Sequence, residues 1–95
     1  MKFLKQDLDG YYDWKPEGEK SVYDGDATRR LFDRCNGNQV LFLINVFLHY
    51  SGNASLISGK YAERLIIEQL PLDKRSEISV LNWLRQQTAS GQLIN

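Results

Sequence analysis

The chain has 95 residues, 42% of them hydrophobic, and its 12 Lys plus Arg balance 12 Asp plus Glu. This length suits a single domain with its own core, and the zero net charge argues against a strongly basic nucleic-acid coat, an acidic tail and a polybasic membrane anchor. The longest apolar stretch, Val40 to Leu48, is far shorter than the ~20 residues of a membrane span, and the charged start argues against a signal peptide. A single cysteine cannot form an intrachain disulfide. We therefore expect one cytoplasmic domain over residues 1–95.

The first 25 residues carry turn signals and no clear helical pattern. Asp9-Gly10 is a two-residue hairpin signal, because both residue types tolerate positive φ better than most, and Pro16-Glu17-Gly18 is a second turn signal. Tyr12, Trp14 and Val22 can then share one face of two paired strands. The same pattern is typical of an extended, aromatic-rich arm that lies on the rest of the domain. We therefore predict either a small β-hairpin or an extended arm for this segment.

A first helix is predicted to begin at Asp24 or Asp26. Either carboxylate can accept hydrogen bonds from the first turn of a helix, and the Asn-Gly pair that follows Cys35 can end it. Ala27, Leu31 and Cys35 recur at every fourth position and form the predicted inward stripe of this helix. Cys35 is therefore expected to be a small buried apolar residue.

The segment from Asn38 to Tyr50 carries no formal charge and is predicted to be the central helix. At the helical period its polar residues Asn38, Asn45 and His49 fall within about 40° of each other, which leaves the rest of the circumference apolar. A strand would place Asn38 opposite the other two. The pattern therefore predicts a helix over about residues 38–50 that is apolar nearly all round and is wrapped by the other elements.

Two further helices are predicted on either side of Pro71. The first begins at Ser55 or Ser58 and continues up to that proline, because the residue before a proline is pushed out of the α region. The second is expected to be capped by Asp73 and to extend to about Ser90. Its predicted inward residues are Ile78, Val80, Leu81, Leu84 and Thr88, with Trp83 at the margin.

The predicted fold class is mainly α, with α+β as the alternative if the N-terminal hairpin forms. We expect a four-helix single domain in which residues 26–90 form a helical bundle. Residues 1–25 lie against this bundle as the hairpin or arm.

The single histidine and the single cysteine are not expected to form a catalytic pair. Cys35 precedes the central helix and His49 lies near its far end, about 16 Å away at 1.5 Å per residue. Asn45 and His49 share one stripe, which is a buried hydrogen-bonded pair, a solvent-facing strip or a ligand contact. No cluster of metal ligands and no phosphate-binding glycine loop is present in the sequence. We therefore expect no metal and no cofactor.

A polar stripe on the last predicted helix suggests an alternative function. Arg75, Ser79, Asn82 and Gln86 follow helical spacing on the face opposite the predicted core, and Lys74 can add a phosphate contact. Arg reads guanine edges, whereas Asn and Gln read adenine edges. The last 36 residues hold only five bases against four acids, which is little for the attraction to phosphate that dominates DNA affinity. A DNA-binding homodimer is therefore the second hypothesis.

Aromatic residues are concentrated in the segment with the weakest helical pattern. Five of the eleven aromatic residues fall in the first 25 positions: Phe3, Tyr11, Tyr12, Trp14 and Tyr23. Tyr and Trp are favoured at binding hot spots, and the six acids and four bases of the segment need water, so we do not expect all five aromatics to be buried. The predicted partner-facing group is Tyr11, Tyr12 and Trp14, with Asp9 and Asp13 at its rim.

Our leading prediction is a small non-enzymatic protein that acts through protein–protein contacts, with another protein or with a second copy of itself. A membrane partner is not expected, and nucleic acid is disfavoured by the neutral charge. An enzyme with a pocket that joins His49 to acids of the N-terminal segment is the third hypothesis.

Overall fold

The computed structural model describes residues 3–14, 25–52 and 55–89 of the chain. Within them the polypeptide forms three α-helices, α1 (Gly37–Ser51), α2 (Leu56–Glu68) and α3 (Glu77–Ala89), and both α2 and α3 pack on α1. The predicted mainly helical fold is confirmed, whereas the prediction of four helices is wrong for the described part of the chain. None of these three helices is long and apolar enough to cross a membrane.

The central helix α1 matches its prediction closely. The Asn36 side chain accepts hydrogen bonds from the backbone N–H groups of Asn38 (3.0 Å) and Gln39 (3.3 Å), which caps the N-terminus. Gly52 ends the helix in the left-handed conformation, with φ of 72°. Its buried apolar side chains are Val40, Leu43, Ile44, Val46, Phe47 and Leu48. Because these residues point in several directions, α1 needs neighbours on more than one side.

The other two helices begin at serine caps. Ser55 accepts a hydrogen bond from the Ser58 backbone N–H (3.1 Å) at the start of α2, in agreement with the prediction. At α3 the predicted Asp73 cap is wrong, because Ser76 takes this role: its hydroxyl accepts from the Ser79 N–H (3.2 Å), while the Ser79 hydroxyl accepts from the Ser76 N–H (3.0 Å). Three predicted inward residues of α3 are buried, namely Val80, Leu81 and Leu84, and so is Trp83, which is predicted at the margin.

Residues 25–36 do not form the predicted first helix. Their backbone groups are bonded to the start of α3 instead: the Arg30 carbonyl accepts from the Glu77 N–H (2.9 Å), the Thr28 carbonyl accepts from the Ile78 N–H (3.0 Å), and the Phe32 N–H donates to the Arg75 carbonyl (2.7 Å). The first two of these bonds satisfy N–H groups of the first turn of α3 that have no partner within their own helix.

Three residues predicted to face inward are therefore exposed. Leu31 keeps 73% of its surface in water and Cys35 is also exposed, so neither the inward stripe nor the buried cysteine is found. Ile78, also predicted to face inward, is 41% exposed in the first turn of α3. The side chain of Thr88 lies outside the described residues.

Residues 3–14, which we call the arm, lie across α1 and α2. They contain one 3-10 turn, Lys5–Asp7, and one bridge in which the Asp13 N–H donates to the Cys35 carbonyl (2.7 Å). The arm, residues 3–14, forms no hairpin of its own. After the 3-10 turn it is extended, with a bend at Gly10. Val22 and Tyr23, which the hairpin interpretation used, lie outside the described residues.

Candidate functional site

The arm is held by the buried carboxylate of Glu63 on α2. Glu63 is 1% exposed, and its oxygens accept hydrogen bonds from the backbone N–H groups of Asp9 (2.8 Å) and Gly10 (2.9 Å) and from the Tyr12 hydroxyl (2.5 Å). A buried carboxylate is tolerated only when such donors replace water. The Asp9-Gly10 turn and the Tyr12 side chain are consequently fixed on α2.

The same environment sets the ionisation of Tyr12. Burial, and then the hydrogen bond to Glu63 and the negative charge of that side chain, raise the pKa of the Tyr12 hydroxyl far above its ordinary value. The hydroxyl therefore remains protonated and donates to Glu63 at any ordinary pH. Lys60 of α2 also binds the arm: its Nζ lies 3.0 Å from both the Asp7 carbonyl oxygen and an Asp9 carboxylate oxygen.

The start of the arm is inserted into the core between α1 and α2. Phe3 is completely buried, and its ring lies so close to Gly59 that a Cβ at position 59 would collide with it. Asn45 bonds both backbone groups of Phe3, accepting from the N–H (2.8 Å) and donating to the carbonyl (2.9 Å). Asn45, on the polar stripe of α1, therefore holds the arm through its bonds to Phe3 and is not paired with His49.

Trp14, at the other end of the arm, packs on the start of α1. A Cβ at Gly37 would lie 2.5 Å from the indole, so the absence of a side chain there lets Trp14 pack directly on the start of α1. The Tyr12 and Trp14 rings meet edge to face at 6.0 Å, and Lys5 Nζ lies 4.4 Å from the centroid of the Trp14 ring. Trp14 is half-buried by these contacts.

Tyr11 differs from its neighbours because its side chain is fully exposed, at 103%. The residues before it, Asp9 and Gly10, form one wall of a cavity of about 330 Å³ against α2. Ile67, half-exposed at 50%, also lines this cavity, and its side chain lies next to Gly10. The remaining wall residues are Lys60, Tyr61, Glu63, Arg64 and Glu68. Of the predicted rim residues, Asp9 and Asp13 are both exposed.

The surroundings of His49 form a separate, exposed cluster. The Tyr50 hydroxyl donates to the Asp26 carboxylate, the Tyr50 ring meets the His49 ring at 5.7 Å, and the Arg85 guanidinium lies 5.3 Å from the Tyr50 ring. The Tyr50 hydrogen bond, helped by the Ala27 N–H and the charge of His49, lowers the pKa of the Asp26 carboxyl. The same hydrogen bond raises the pKa of Tyr50.

Replacing Tyr50 with Phe is expected to return the pKa of Asp26 towards its ordinary value, because the main cause of the lowering is lost. A carboxyl titration of the Asp26 side chain by NMR measures this shift in the parent and the variant. Since the folded-state pKa is lowered, Asp26 favours the folded state at neutral pH, and this contribution fades as the pH falls through its titration range. An unchanged titration in the variant contradicts the assignment.

The stripe predicted to read DNA is divided by the structure. Asn82 and Gln86 are exposed on α3, whereas the Ser79 hydroxyl belongs to the helix cap. Arg75, which is exposed, and Lys74, which is partly exposed, precede the helix. Within the described residues no three His, Cys, Asp or Glu side chains converge as a metal site would require.

Sequence reasoning missed the buried acid of α3. Glu77 is 0% exposed, pairs with Arg30 (2.9 Å) and accepts from Gln39 (2.8 Å) and Thr28 (3.0 Å). The available signal was its position, because Glu77 precedes Val80 by three residues and so continues the inward stripe.

No family model, no curated protein and no solved structure matches this chain.

Proposed function

We propose that this protein is a non-enzymatic interaction protein that binds a protein partner through the Tyr11 surface, defined as Tyr11, Ile67 and the cavity that Asp9 and Gly10 form against α2. The observation that carries the proposal is the full exposure of Tyr11 between two residues that are both bonded to Glu63. A large aromatic side chain is thereby presented on a backbone that cannot easily move away.

The physical advantage of this arrangement is preorganisation. Ordering a side chain or a loop during association costs about 0.5–1.5 kcal/mol for each immobilised side chain, and part of that cost is already met when the backbone is fixed in the free protein. Tyr is enriched at hot spots because it offers a large apolar area and a hydroxyl with few rotatable bonds. In this proposal Tyr12 and Trp14 position the arm, while Tyr11 makes the contact.

The charges around the cavity suit specificity rather than strong attraction. Asp9 and Glu68 contribute two acids, and Lys60 and Arg64 contribute two bases, all at or near the rim. Exposed pairs of this kind, such as Lys60 with Asp9 at 3.0 Å, contribute little affinity but discriminate against partners with unmatched charge. The apolar residues Tyr11 and Ile67 then provide most of the binding energy.

Site-specific photo-crosslinking tests this function. A benzoylphenylalanine at position 11 is expected to give one adduct of defined mass in the native host, because the side chain at this position lies in the interface. The matched control carries the same group in place of Leu72, which is 84% exposed in the connection between α2 and α3. Equal adducts from both positions, or none from position 11, would refute the proposal, and an adduct of twice the chain mass identifies self-association.

DNA binding through α3 is the second candidate. It is favoured by one observation: among the described residues 74–89 the only acid is Glu77, which is buried and paired with Arg30, so the exposed charges of this stretch are positive. Lys74, Arg75 and Arg85 provide them. Two observations argue against DNA binding. The Ser79 hydroxyl is used in the helix cap, and the large aliphatic residues Leu31 and Ile78 are exposed at the same end of α3.

A further inference from the structure

Two exposed aliphatic residues, Leu31 and Ile78, lie on backbone segments that pair with each other at the start of α3. Leu31 forms an antiparallel bridge with Ser76, and the Thr28 carbonyl accepts from the Ile78 N–H at 3.0 Å. This backbone pairing sets Leu31 beside the first turn of α3, where Ile78 lies. Leu31 is 73% exposed and Ile78 is 41% exposed, so both retain apolar surface that a partner can remove from water.

Positive charge surrounds these two residues. Arg29 and Arg75 are exposed and Lys74 is partly exposed, and no ion pair is found for any of the three within the described part of the chain. Arg34 is bonded to the carbonyls of Leu70 (3.2 Å) and Pro71 (3.4 Å), so no carboxylate neutralises it there.

The balance of charge at this end of the molecule is positive. Four cations, Arg29, Arg34, Lys74 and Arg75, face two exposed acids, Asp33 and Asp73, which leaves +2. The remaining local pair, Arg30 and Glu77, is internally neutral, at 2.9 Å. The complete chain has a net charge of zero, so this end is basic relative to the rest.

We propose that this surface, which we call the Leu31 face (Leu31, Ile78, Arg29, Lys74 and Arg75), binds an acidic amphipathic segment of a protein partner. Apolar side chains of the segment cover Leu31 and Ile78, and its carboxylates lie against the three cations. The Leu31 face is distinct from the Tyr11 surface and is argued from different residues.

Two competing occupants fit the face less well. A second copy of the chain, related by a two-fold axis, would place the positive face against itself, and like charges in contact oppose association. Duplex DNA would meet the cations, but the aliphatic side chains between them offer nothing to phosphate groups. An acidic protein segment with apolar side chains matches both properties.

Fluorescence anisotropy with a labelled synthetic peptide tests the proposal on the full chain. The probe is an amphipathic helix of Leu and Glu, and the controls are a scrambled peptide of the same composition and a version with Lys in place of Glu. We expect the Leu/Glu helix to bind the parent protein, with an affinity that falls as salt is added. We expect at least a tenfold loss with Arg75→Glu and at least a fivefold loss with Leu31→Ser or Ile78→Ser.

Matched variants on α2 distinguish loss of the Leu31 face from the general effect of removing an exposed aliphatic residue or reversing a charge. Ile57→Ser removes a comparably exposed aliphatic residue (78% exposed), and Arg64→Glu reverses an exposed charge, so both are expected to bind like the parent. All five substituted positions, three on the face and two on α2, are exposed, and circular dichroism verifies that each variant is folded. The proposal is overturned if the peptide does not bind, if the scrambled peptide binds equally, or if duplex DNA binds through Arg75 while the peptide does not.

Discussion

Replacing Glu77 with alanine is expected to lower the free energy of unfolding by about 3 kcal/mol, the lower end of the range for breaking a buried ion pair. The side chain is completely buried and accepts hydrogen bonds from Thr28, Arg30 and Gln39, which lie on two other parts of the chain. We choose the lower end because the Arg30 side chain is 34% exposed and can turn to water when its partner is removed.

Chemical denaturation at neutral pH measures this loss, with Glu68→Ala as the matched control. Glu68 is also a helical glutamate near an arginine, but its side chain is 57% exposed and its distance to Arg64 is 3.8 Å. Such a pair contributes less than about 1 kcal/mol. Glu77→Gln keeps the size of the side chain but turns an amide group towards several donors, so its cost is expected to be about 2 kcal/mol. Similar losses for the two alanine variants would show that Glu77 does not organise the fold.

The Glu77 variant also has a consequence for the Leu31 face. Residues 28–32 are attached to α3 through this carboxylate and through the backbone bonds on either side of it. When the carboxylate is lost, only the backbone bonds hold Leu31 beside the start of α3. Binding of an acidic segment is therefore expected to weaken even though neither contact residue has changed. Stability and the proposed second surface therefore depend on the same buried group.

The core of the fold could be predicted from the sequence because its signal is local. The stretch from Asn38 to Tyr50 is apolar over nearly four turns and carries no charge, so burial on all sides is the only environment that suits it. The N-cap Asn36 and the glycine at position 52 bracket this stretch at the two ends. Helix, length and burial then follow from neighbouring residues alone.

The segment over residues 25–36 could not be predicted in this way, because the interactions that decide it are remote in sequence. Its capping aspartate, its charge spacing and the following Asn-Gly all favour a helix locally. The partners of Thr28 and Arg30, however, lie 49 and 47 residues away on Glu77. Hydrogen bonds to a buried carboxylate outweigh the small differences in helix propensity, which amount to a few tenths of a kcal/mol per residue.

Glu63 and Glu77, the two glutamates that anchor the non-helical segments, show a second reason why part of the fold could not be predicted from the sequence. Charged residues are nearly always solvated, so the sequence does not single out Glu63 and Glu77 as core residues, although each falls on the inward side of its helix. Glu63 lies between the buried residues Ala62 and Leu65, as Glu77 lies just before Val80. An acid in such a position needs donors from elsewhere in the chain. Here they come mostly from non-helical segments, together with Gln39 of α1.

Glu63→Ala is expected to release the turn of the arm from α2 and to lower the free energy of unfolding by about 2 kcal/mol, since three hydrogen bonds to a charged group are lost and the N–H groups of Asp9 and Gly10 can reach water. Amide hydrogen exchange at Asp9 and Gly10 should become much faster, while Phe3, which is held separately by Asn45, should remain protected. Crosslinking from position 11 should fall although Tyr11 itself is unchanged. Asp73→Ala removes an exposed acid that lies outside the Tyr11 surface and should alter none of these measurements. Unchanged exchange at both amides in Glu63→Ala would contradict the role of Glu63 as the anchor of the Tyr11 surface.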